Sequence, residues 1–233
     1  IEKIIDVLEE FFREQGYQEV RFRCTGEIFA KGNTVLLQYF LYQKGYVSYE
    51  ELNCFIDFKQ YHEDIVSNFS AGKRRDYKYA LKYNMEFRKI DTIQGIAEFY
   101  RILCANLEKY HTKPVHTLEE LVEFSEKRLA HIVEFYGVYI KDSIIAGSMV
   151  FKFEKRVFHT QYLAADQGYL KFYPMNFLDE QLISLAKEEG FRYFSFGIST
   201  EDKGKILNKS LAKFKEGFGT QFGINRTYVK QYD

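Results

Sequence analysis

One stretch, residues 156–199, restricts what this chain can fold into more than any other. Residues 156–165 alternate and are rich in β-branched and aromatic side chains, and residues 191–196 alternate again. Between them Met175, Leu178, Leu182, Leu185 and Ala186 fall at helical spacing. Pro174 suits the first turn of that helix, and Gly190 suits the position just past its end. The stretch therefore predicts strand, loop, helix, strand, which is a parallel crossover. The connecting loop, residues 166–173, brings no Ser, Thr, Asp or Asn to the cap position. The free N–H groups of the first turn are left to an outside acceptor, a phosphate or water.

Lys and Arg number 33, as do Asp and Glu, so no global field draws the chain to nucleic acid or an anionic bilayer. Any anion site has to be local. The three cysteines, Cys24, Cys54 and Cys104, are far apart and odd in number, which predicts free thiols in a reducing compartment. No metal spacing is present. Apolar runs such as residues 34–42 are too short to span a membrane, and no charged-then-apolar leader opens the sequence, which reads as cytoplasmic.

Taken in order, Ile1, Ile4, Ile5, Leu8, Phe11 and Phe12 predict an amphipathic helix ended by Gly16, followed by a strand over residues 17–23 with Val20 and Phe22 on one side. Gly16 to Phe22 lies in register with Gly190 to Phe196, each after an acidic amphipathic helix, so a duplicated unit is one reading and a generic helix–Gly–strand unit the other. Residues 34–42 and 53–58 are strand candidates. Residues 72–83 predict a helix with Arg74, Lys78 and Lys82 on one face, joined by Lys73 and Arg75. Such a face is either solvated or a grip on phosphates of a substrate or RNA. A strand at 85–90 and helices at 93–110 and 118–131 follow, the second with Thr117 and Glu120 in a capping-box pattern. Two histidines, His111 and His116, sit in the loop between them without a third ligand. Residues 135–140 and 144–153 flank Lys141-Asp142 as a hairpin, and 157–165 adds a third antiparallel strand. Residues 205–217 predict a helix with Leu207, Leu211, Phe214 and Phe218 inward and Lys205, Lys209 and Lys213 outward, and 221–229 a closing strand.

The order from residue 85 onward is β–α–α–β–β–β–α–β–α–β. It resembles the GNAT acyltransferase fold, an α/β class with a mixed sheet, and within it the Fem-type (FemAB-like) branch, in which two such halves stand in tandem. The likeness is carried by Ile145-Ala146-Gly147, by Pro174-Met175-Asn176, by Gly190-Phe191-Arg192-Tyr193-Phe194-Ser195-Phe196-Gly197 and by Phe214-Lys215-Glu216-Gly217-Phe218-Gly219. Leu81 and Lys82 resemble the basic segment that opens the second half in that branch. The resemblance divides the chain into a partial GNAT-like half, residues 1–72, and a complete one, residues 73–233. Because the chain opens at Ile1 inside a helix and without Met, about 90 further residues are expected before it if the halves correspond, and an apolar sheet edge is expected at Val20 and Phe22.

The resemblance implies direct transfer of an acyl group to an amine. Strand amides of residues 161–165, Leu163 and Ala164 among them, would hold the acyl carbonyl, and Gln167, Gly168, Pro174 and Asn176 would face the phosphates of acetyl-CoA or another acyl-CoA. The family's pyrophosphate loop is Gly-rich, whereas residues 167–173 keep a single Gly; the long helical arm of the aminoacyl-tRNA-dependent members is also missing from the sequence. His159, Asp166 and Tyr173 are the acid–base candidates, with Glu154 as a further base. Arg74, Arg75, Lys78 and Lys215 would bind an anionic acceptor, a nucleotide- or lipid-linked amino-sugar or peptidoglycan-type precursor. The expected function is N-acyl transfer in cell-wall or surface-polysaccharide synthesis. The alternatives are a non-catalytic GNAT-like binding module and a Fem-type aminoacyltransferase that takes its donor from tRNA.

Overall fold

The computed structural model describes residues 1–109 and 111–232; Tyr110, at the end of one expected helix, and Asp233 lie outside the described residues. In chain order the elements are α1 (Glu2–Glu14), β1 (Glu19–Arg23), α2 (Val35–Gln43), β2 (Val47–Asp57), α3 (Ala71–Ala80), β3 (Glu86–Ile90), α4 (Ile93–Glu108), α5 (Leu118–Glu123), β4 (Val133–Ile140), β5 (Ser143–Phe153), β6 (Val157–Ala165), α6 (Pro174–Glu188), β7 (Tyr193–Ile198), β8 (Thr200–Glu201), β9 (Ile206–Leu207), α7 (Lys209–Glu216) and β10 (Gln221–Gln231). They form two compact units drawn from interleaved segments, 1–54 with 198–213 and 222–233, and 55–197 with 214–221. The sequence reading sets its boundary after residue 72 instead. That reading joined neighbours in sequence, whereas long-range pairing assembles the units.

The larger unit holds a mixed α/β sheet with strand order β7-β6-β5-β4-β3. Strands β3 to β6 pair antiparallel with their neighbours, and β7 pairs parallel with β6. Ile96, Phe99, Ile102 and Leu103 of α4 and Leu121 of α5 bury their apolar stripe against Ile90, Val133, Phe135, Ile144 and Met149. The capping box at Thr117 and Glu120 forms as expected, with both reciprocal bonds made. On the same strands packs α6, buried almost all round over its first two turns. Lys152 on β5 joins Glu134 on β4 and, at 2.6 Å, Glu189 beyond α6, which ties the end of the crossover helix to the sheet.

The smaller unit has strand order β1-β10-β2. Its core is Ile5, Cys24, Leu41, Tyr46 and Tyr228, with Val20, Phe22, Leu37 and Phe40 packed on it. Residues 34–42, expected as a strand, are helix α2. The physical reason is spacing: Leu37, Phe40 and Leu41 fall on one helical face toward that core, and Asn33 Oδ1 accepts from the Val35 N–H at 2.7 Å at its start. The apolar face of α1 is narrower than expected, because Ile5 is buried while Ile4 and Phe11 stand exposed. The last helix begins at Lys209 rather than 205, since Ile206–Leu207 pairs with Thr200–Glu201. Lys205 is therefore not on it, and Leu207 and Leu211 are exposed rather than inward.

The two helix–Gly–strand stretches share one turn geometry. Gly16 and Gly190 both have positive φ, +70° and +78°, and each turn closes with a Gly N–H and a following aromatic N–H on carbonyls of the last helical turn. The likeness stops at the sheet. Where β7 pairs parallel, β1 pairs antiparallel along its length with β10, from Glu19 with Gln231 to Arg23 with Thr227. One edge of β1 thus has a partner in this same chain, while its other edge, at the end of the strand order, has no strand beside it among the described residues.

Gly147 faces Gly137 across β5 and β4, and a Cβ built on it would lie 2.6 Å from Phe99 Cδ2 and 3.1 Å from the Tyr136 carbonyl oxygen. Phe99 is fully buried and has nowhere to move. Gly147→Ala is expected to lower stability by about 1–3 kcal/mol, seen as a lower urea midpoint at an unchanged m-value. An unchanged midpoint would contradict this account of the core.

Candidate active site

The crossover sets up the site by an incomplete pairing. Only Val157, Phe158 and His159 of β6 pair with Tyr193, Phe194 and Ser195 of β7, although β6 runs on to Ala165. Two local features part the strands. Opposite β5 the register of β6 slips at Gln161, a β-bulge that bends the strand. On β7, Gly197 takes φ +72°, a left-handed conformation that side chains rarely adopt. Beyond His159, residues 161–165 therefore present to the opening a strand edge that β7 does not pair. Such an edge can receive a planar carbonyl group from an outside molecule.

At the point of parting Ser195, wholly buried, sits between two partners: its Oγ accepts from the Gly197 N–H at 3.2 Å and is 3.1 Å from His159 Nδ1. Thr160 donates its hydroxyl to the Ser195 carbonyl at 3.2 Å. Burial pushes the His159 pKa down to about 4, helped by the positive charge of Lys215 and opposed by a hydrogen bond with Gln161. A little of its side-chain surface stays accessible, but the protein around the ring governs the shift, so the imidazole is neutral at neutral pH.

Behind the opening lies a chain of buried charge. Lys215, 5% exposed, donates from Nζ to the Gly197 carbonyl at 3.2 Å. Lys73 of α3 donates to Asn176 Oδ1 at 2.7 Å, and its ammonium stands 3.3 Å from the ring centroid of Phe214 and 4.3 Å from that of Phe218. Burial lowers the Lys73 pKa to about 8, against the pull of Asp179 and Asp76. Asp179 on α6 is fully buried and is pushed up to about 7 by burial, with Lys73 and Lys215 acting the other way.

This arrangement explains the closing motif physically. Phe214 and Phe218 bracket the Lys73 ammonium, and a Cβ on Gly217 would lie 2.7 Å from Lys73 Cγ. The Gly217 carbonyl accepts from the Ser70 N–H at the start of α3 at 2.8 Å. Gly219, at φ +77°, passes so close to Asn68 that a Cβ would lie 2.7 Å from its carbonyl oxygen. In the Gly190–Gly197 motif, Arg192 pairs with buried Asp57 at 2.6 Å.

The sequence-predicted residues separate into two groups. His159, Lys215 and the strand edge with Leu163 and Ala164 gather at the opening. Asp166 accepts from the Gly168 N–H at 2.8 Å and caps the short 3-10 turn Gln167–Phe172. Tyr173 adopts a left-handed φ of 56° at the entry to α6 and stacks on Tyr79 with centroids 6.1 Å apart. Glu154 lies in the exposed turn between β5 and β6. The basic face of α3 is broken up: Arg74 donates to the Phe69 carbonyl at 2.6 Å, Arg75 pairs with Asp76 at 3.0 Å, and Lys78 stays exposed. His116 bonds to the Tyr162 hydroxyl at 2.8 Å. Lys73, which the sequence places in the basic run as a candidate phosphate grip, turns instead to Asn176, and buried Asp179 is not among the site residues expected from the sequence.

Several amides of the loop before α6 are already engaged within it. The amides of Gly168, Tyr169 and Tyr173 are bonded within the turn, those of Asn176 and Phe177 go to the Tyr173 carbonyl at 3.1 and 3.3 Å, and Pro174 has none. Asn176, proposed to face a donor's phosphates, spends its side-chain oxygen on Lys73. Among the described residues no group of His, Cys, Asp and Glu has the geometry to hold a metal, and no helix is long and apolar enough to cross a membrane. A cavity of about 660 Å³ in the smaller unit, lined by Gln38, Tyr39, Tyr42, Glu50 and Arg226 among others, contains none of the site residues expected from the sequence.

A mixed sheet with a parted parallel strand pair, a crossover helix and a buried cation at the opening defines an acyltransferase of the GNAT class. Residues 67–204, more than half of the chain, match the family model of the acetyltransferase (GNAT) domain, and the chain belongs to that family. Its fold is also that of several solved structures. FemX superposes with a TM-score of 0.73 at 11% identity, over 97% of this chain and 75% of its own. The C-terminal domain of a putative lysylphosphatidylglycerol synthetase from Agrobacterium fabrum gives 0.69 at 11% identity, over 97% and 73%. L-PGS from Bacillus licheniformis gives 0.67 at 13%, over 99% and 73%. A search of curated proteins returns no match.

His159 supplies a test of the site's electrostatics. Its folded pKa, about 4, lies below the ordinary 6.5, so between these values the unfolded chain binds more protons. Stability from this residue is present above pH 6.5 and is lost as pH falls toward 4, by on the order of 3 kcal/mol at most. His159→Gln is expected to lose less stability than the wild type between pH 7 and pH 4 in thermal melts. Parallel curves for the two proteins would mean that the ring is not held neutral by its surroundings.

Proposed function

We propose that the protein is an N-acyltransferase that moves an acyl group from an activated donor to an amino group of a nucleotide- or lipid-linked cell-wall or surface-polysaccharide precursor in the cytoplasm. The observation that carries this reading is the edge of residues 161–165 that β7 leaves unpaired, next to the point where Lys215 bonds the Gly197 carbonyl. In the reaction the amine lone pair forms the C–N bond while the carbonyl π pair moves onto oxygen. Collapse of the tetrahedral intermediate returns that pair and expels the leaving group with its bonding electrons. The β6 amides hold the carbonyl, and the Lys215 charge stabilises the developing oxyanion. His159, neutral and at the opening, is the group of this reading that passes the amine's proton on to solvent, since a pKa of about 4 leaves it too weak a base to keep it. Asp166 and Tyr173, at the two ends of the loop, are the further acid–base groups of this reading, and Arg74, Arg75 and Lys78 its contacts to an anionic acceptor.

Membership in the acetyltransferase family supports acyl-CoA as the donor. A second reading, transfer of an aminoacyl group from tRNA, is supported by the loop before α6, whose amides are already engaged. The fold shared with a putative lysylphosphatidylglycerol synthetase, a protein named for an aminoacylated product, supports it too.

The test is transfer itself. The protein is incubated with an amino-sugar precursor and either acetyl-CoA or a set of aminoacyl-tRNAs, and amide products are read by mass spectrometry. We expect product from one donor class and about a 100-fold loss of rate in Lys215→Ala. No amide from either donor would overturn acyl transfer as the function.

A further inference from the structure

Asp179 is the least explicable residue of the fold as a structural element. It is fully buried, and neither carboxylate oxygen has a hydrogen-bond partner among the described residues. A carboxylate removed from water without hydrogen bonds is costly, and a buried acid kept only for packing would gain by being apolar. Its neighbours on α6 differ. Asn176 accepts from Lys73, and Glu180 accepts from the Tyr77 and Ser184 hydroxyls at 2.8 and 2.9 Å. What Asp179 does have is charge: Lys73 on α3 and Lys215 on α7 both act on it electrostatically. Lys215 is itself buried on a backbone carbonyl, and half-buried Lys73 lays its ammonium against two aromatic rings.

We propose that Asp179 is a positioning residue of the acyl-transfer site: its buried carboxylate is the counter-charge that keeps both ammonium groups in place, so that Lys215 holds its station at Gly197 where β6 and β7 part. The proposal rests on the reading of the site as an acyltransferase. Lys215, buried, and Lys73, half-buried, set two positive charges on Asp179, and the charge of Lys215 at Gly197 faces the negative charge that develops on a tetrahedral oxyanion. With no anion the two ammoniums would repel each other and favour deprotonation. The other titratable groups facing this chain are Asp76, which acts on Lys73, and His159, which faces Lys215. Burial raises the Asp179 value and lowers that of Lys73, and the attraction between the carboxylate and the lysines works against burial at both groups.

The test uses Asp179→Asn, which keeps the shape and removes the charge, in the full protein with its lysines carbon-labelled beside Nζ for NMR. Lys73 and Lys215 resonances are assigned by replacing each with Arg. In the variant both lysines are expected to titrate roughly one pH unit lower than in the wild type. Turnover should fall about 10- to 100-fold at neutral pH with little change in KM, and the alkaline limb of the kcat profile should move to lower pH. Lys73→Met reads the same coupling from the other side and serves if Asp179→Asn does not fold. Removing one cation should make the Asp179 carboxyl titrate at higher pH than in the wild type, and no movement there overturns the proposal. Unmoved lysine titrations, or a kcat profile that superposes on the wild type, overturn the role of Asp179 while leaving acyl transfer intact. Absence of transfer by the wild type overturns the reading beneath it.

Discussion

Three residue pairs are all that join β6 to β7, and the rest of the site follows from that brevity. A parallel pair that continued to Ala165 would spend its N–H and C=O groups on the sheet ladder and leave nothing for a substrate. The pairing ends because both strands turn away. Gln161 is an extra residue on β6, and Gly197 takes a conformation on β7 in which a Cβ would be strained and would lie 3.3 Å from His159 Cε1. Ser195 and Thr160 close the last rung with side-chain bonds, so the opening begins at a defined residue.

An opening of this kind needs charge behind it, and the protein supplies it from the dry side. Lys73 does not face solvent with the other basic residues of α3. It turns inward between Phe214 and Phe218, where Gly217 leaves room for its methylenes. Phe69 packs edge-on against Phe218 at 5.1 Å, and the Tyr61 hydroxyl donates to the Phe218 carbonyl at 2.6 Å, so the aromatic walls are themselves fixed. Electrostatic interactions are stronger in such surroundings than in water, which is why one lysine placed at Gly197 can matter more than several on an exposed helix face.

Much of the larger unit was legible in the sequence because its signals are local. Pro174 and Gly190 mark α6, Lys141-Asp142 marks the hairpin, and Thr117 with Glu120 marks a helix start; each works through neighbours within a few residues. Residues 34–42 misled because a continuous apolar run fits a buried strand as well as a helix, and only the tertiary positions of Leu37, Phe40 and Leu41 decide. The parting of β6 and β7 depends on partners more than 30 residues apart, as His159 and Ser195 show, and no local pattern encodes it. Asp179 was missed because Asp-Glu-Gln in a helix reads as a wet face. A signal was present, since Asp179 lies three residues after Asn176 and four before Ile183, both buried, but recognising it requires knowing that the whole first half of α6 is enclosed. The basic run of α3 erred the other way, because Arg74 is engaged by backbone carbonyls that sequence alone does not bring near it.

The measurement that tests the central claim most directly is amide hydrogen exchange along β6, resolved by residue, in the free protein and with each acyl donor added. If residues 161–165 form the edge on which the acyl carbonyl is held, their amides that do not pair with β5 exchange fast in the free protein. They then slow by about tenfold or more when the productive donor, acetyl-CoA or an aminoacyl-tRNA, is bound in excess over its Kd. Exchange along this edge that is already slow in the free protein, or that is unchanged by a donor from which the protein demonstrably transfers, would contradict the account.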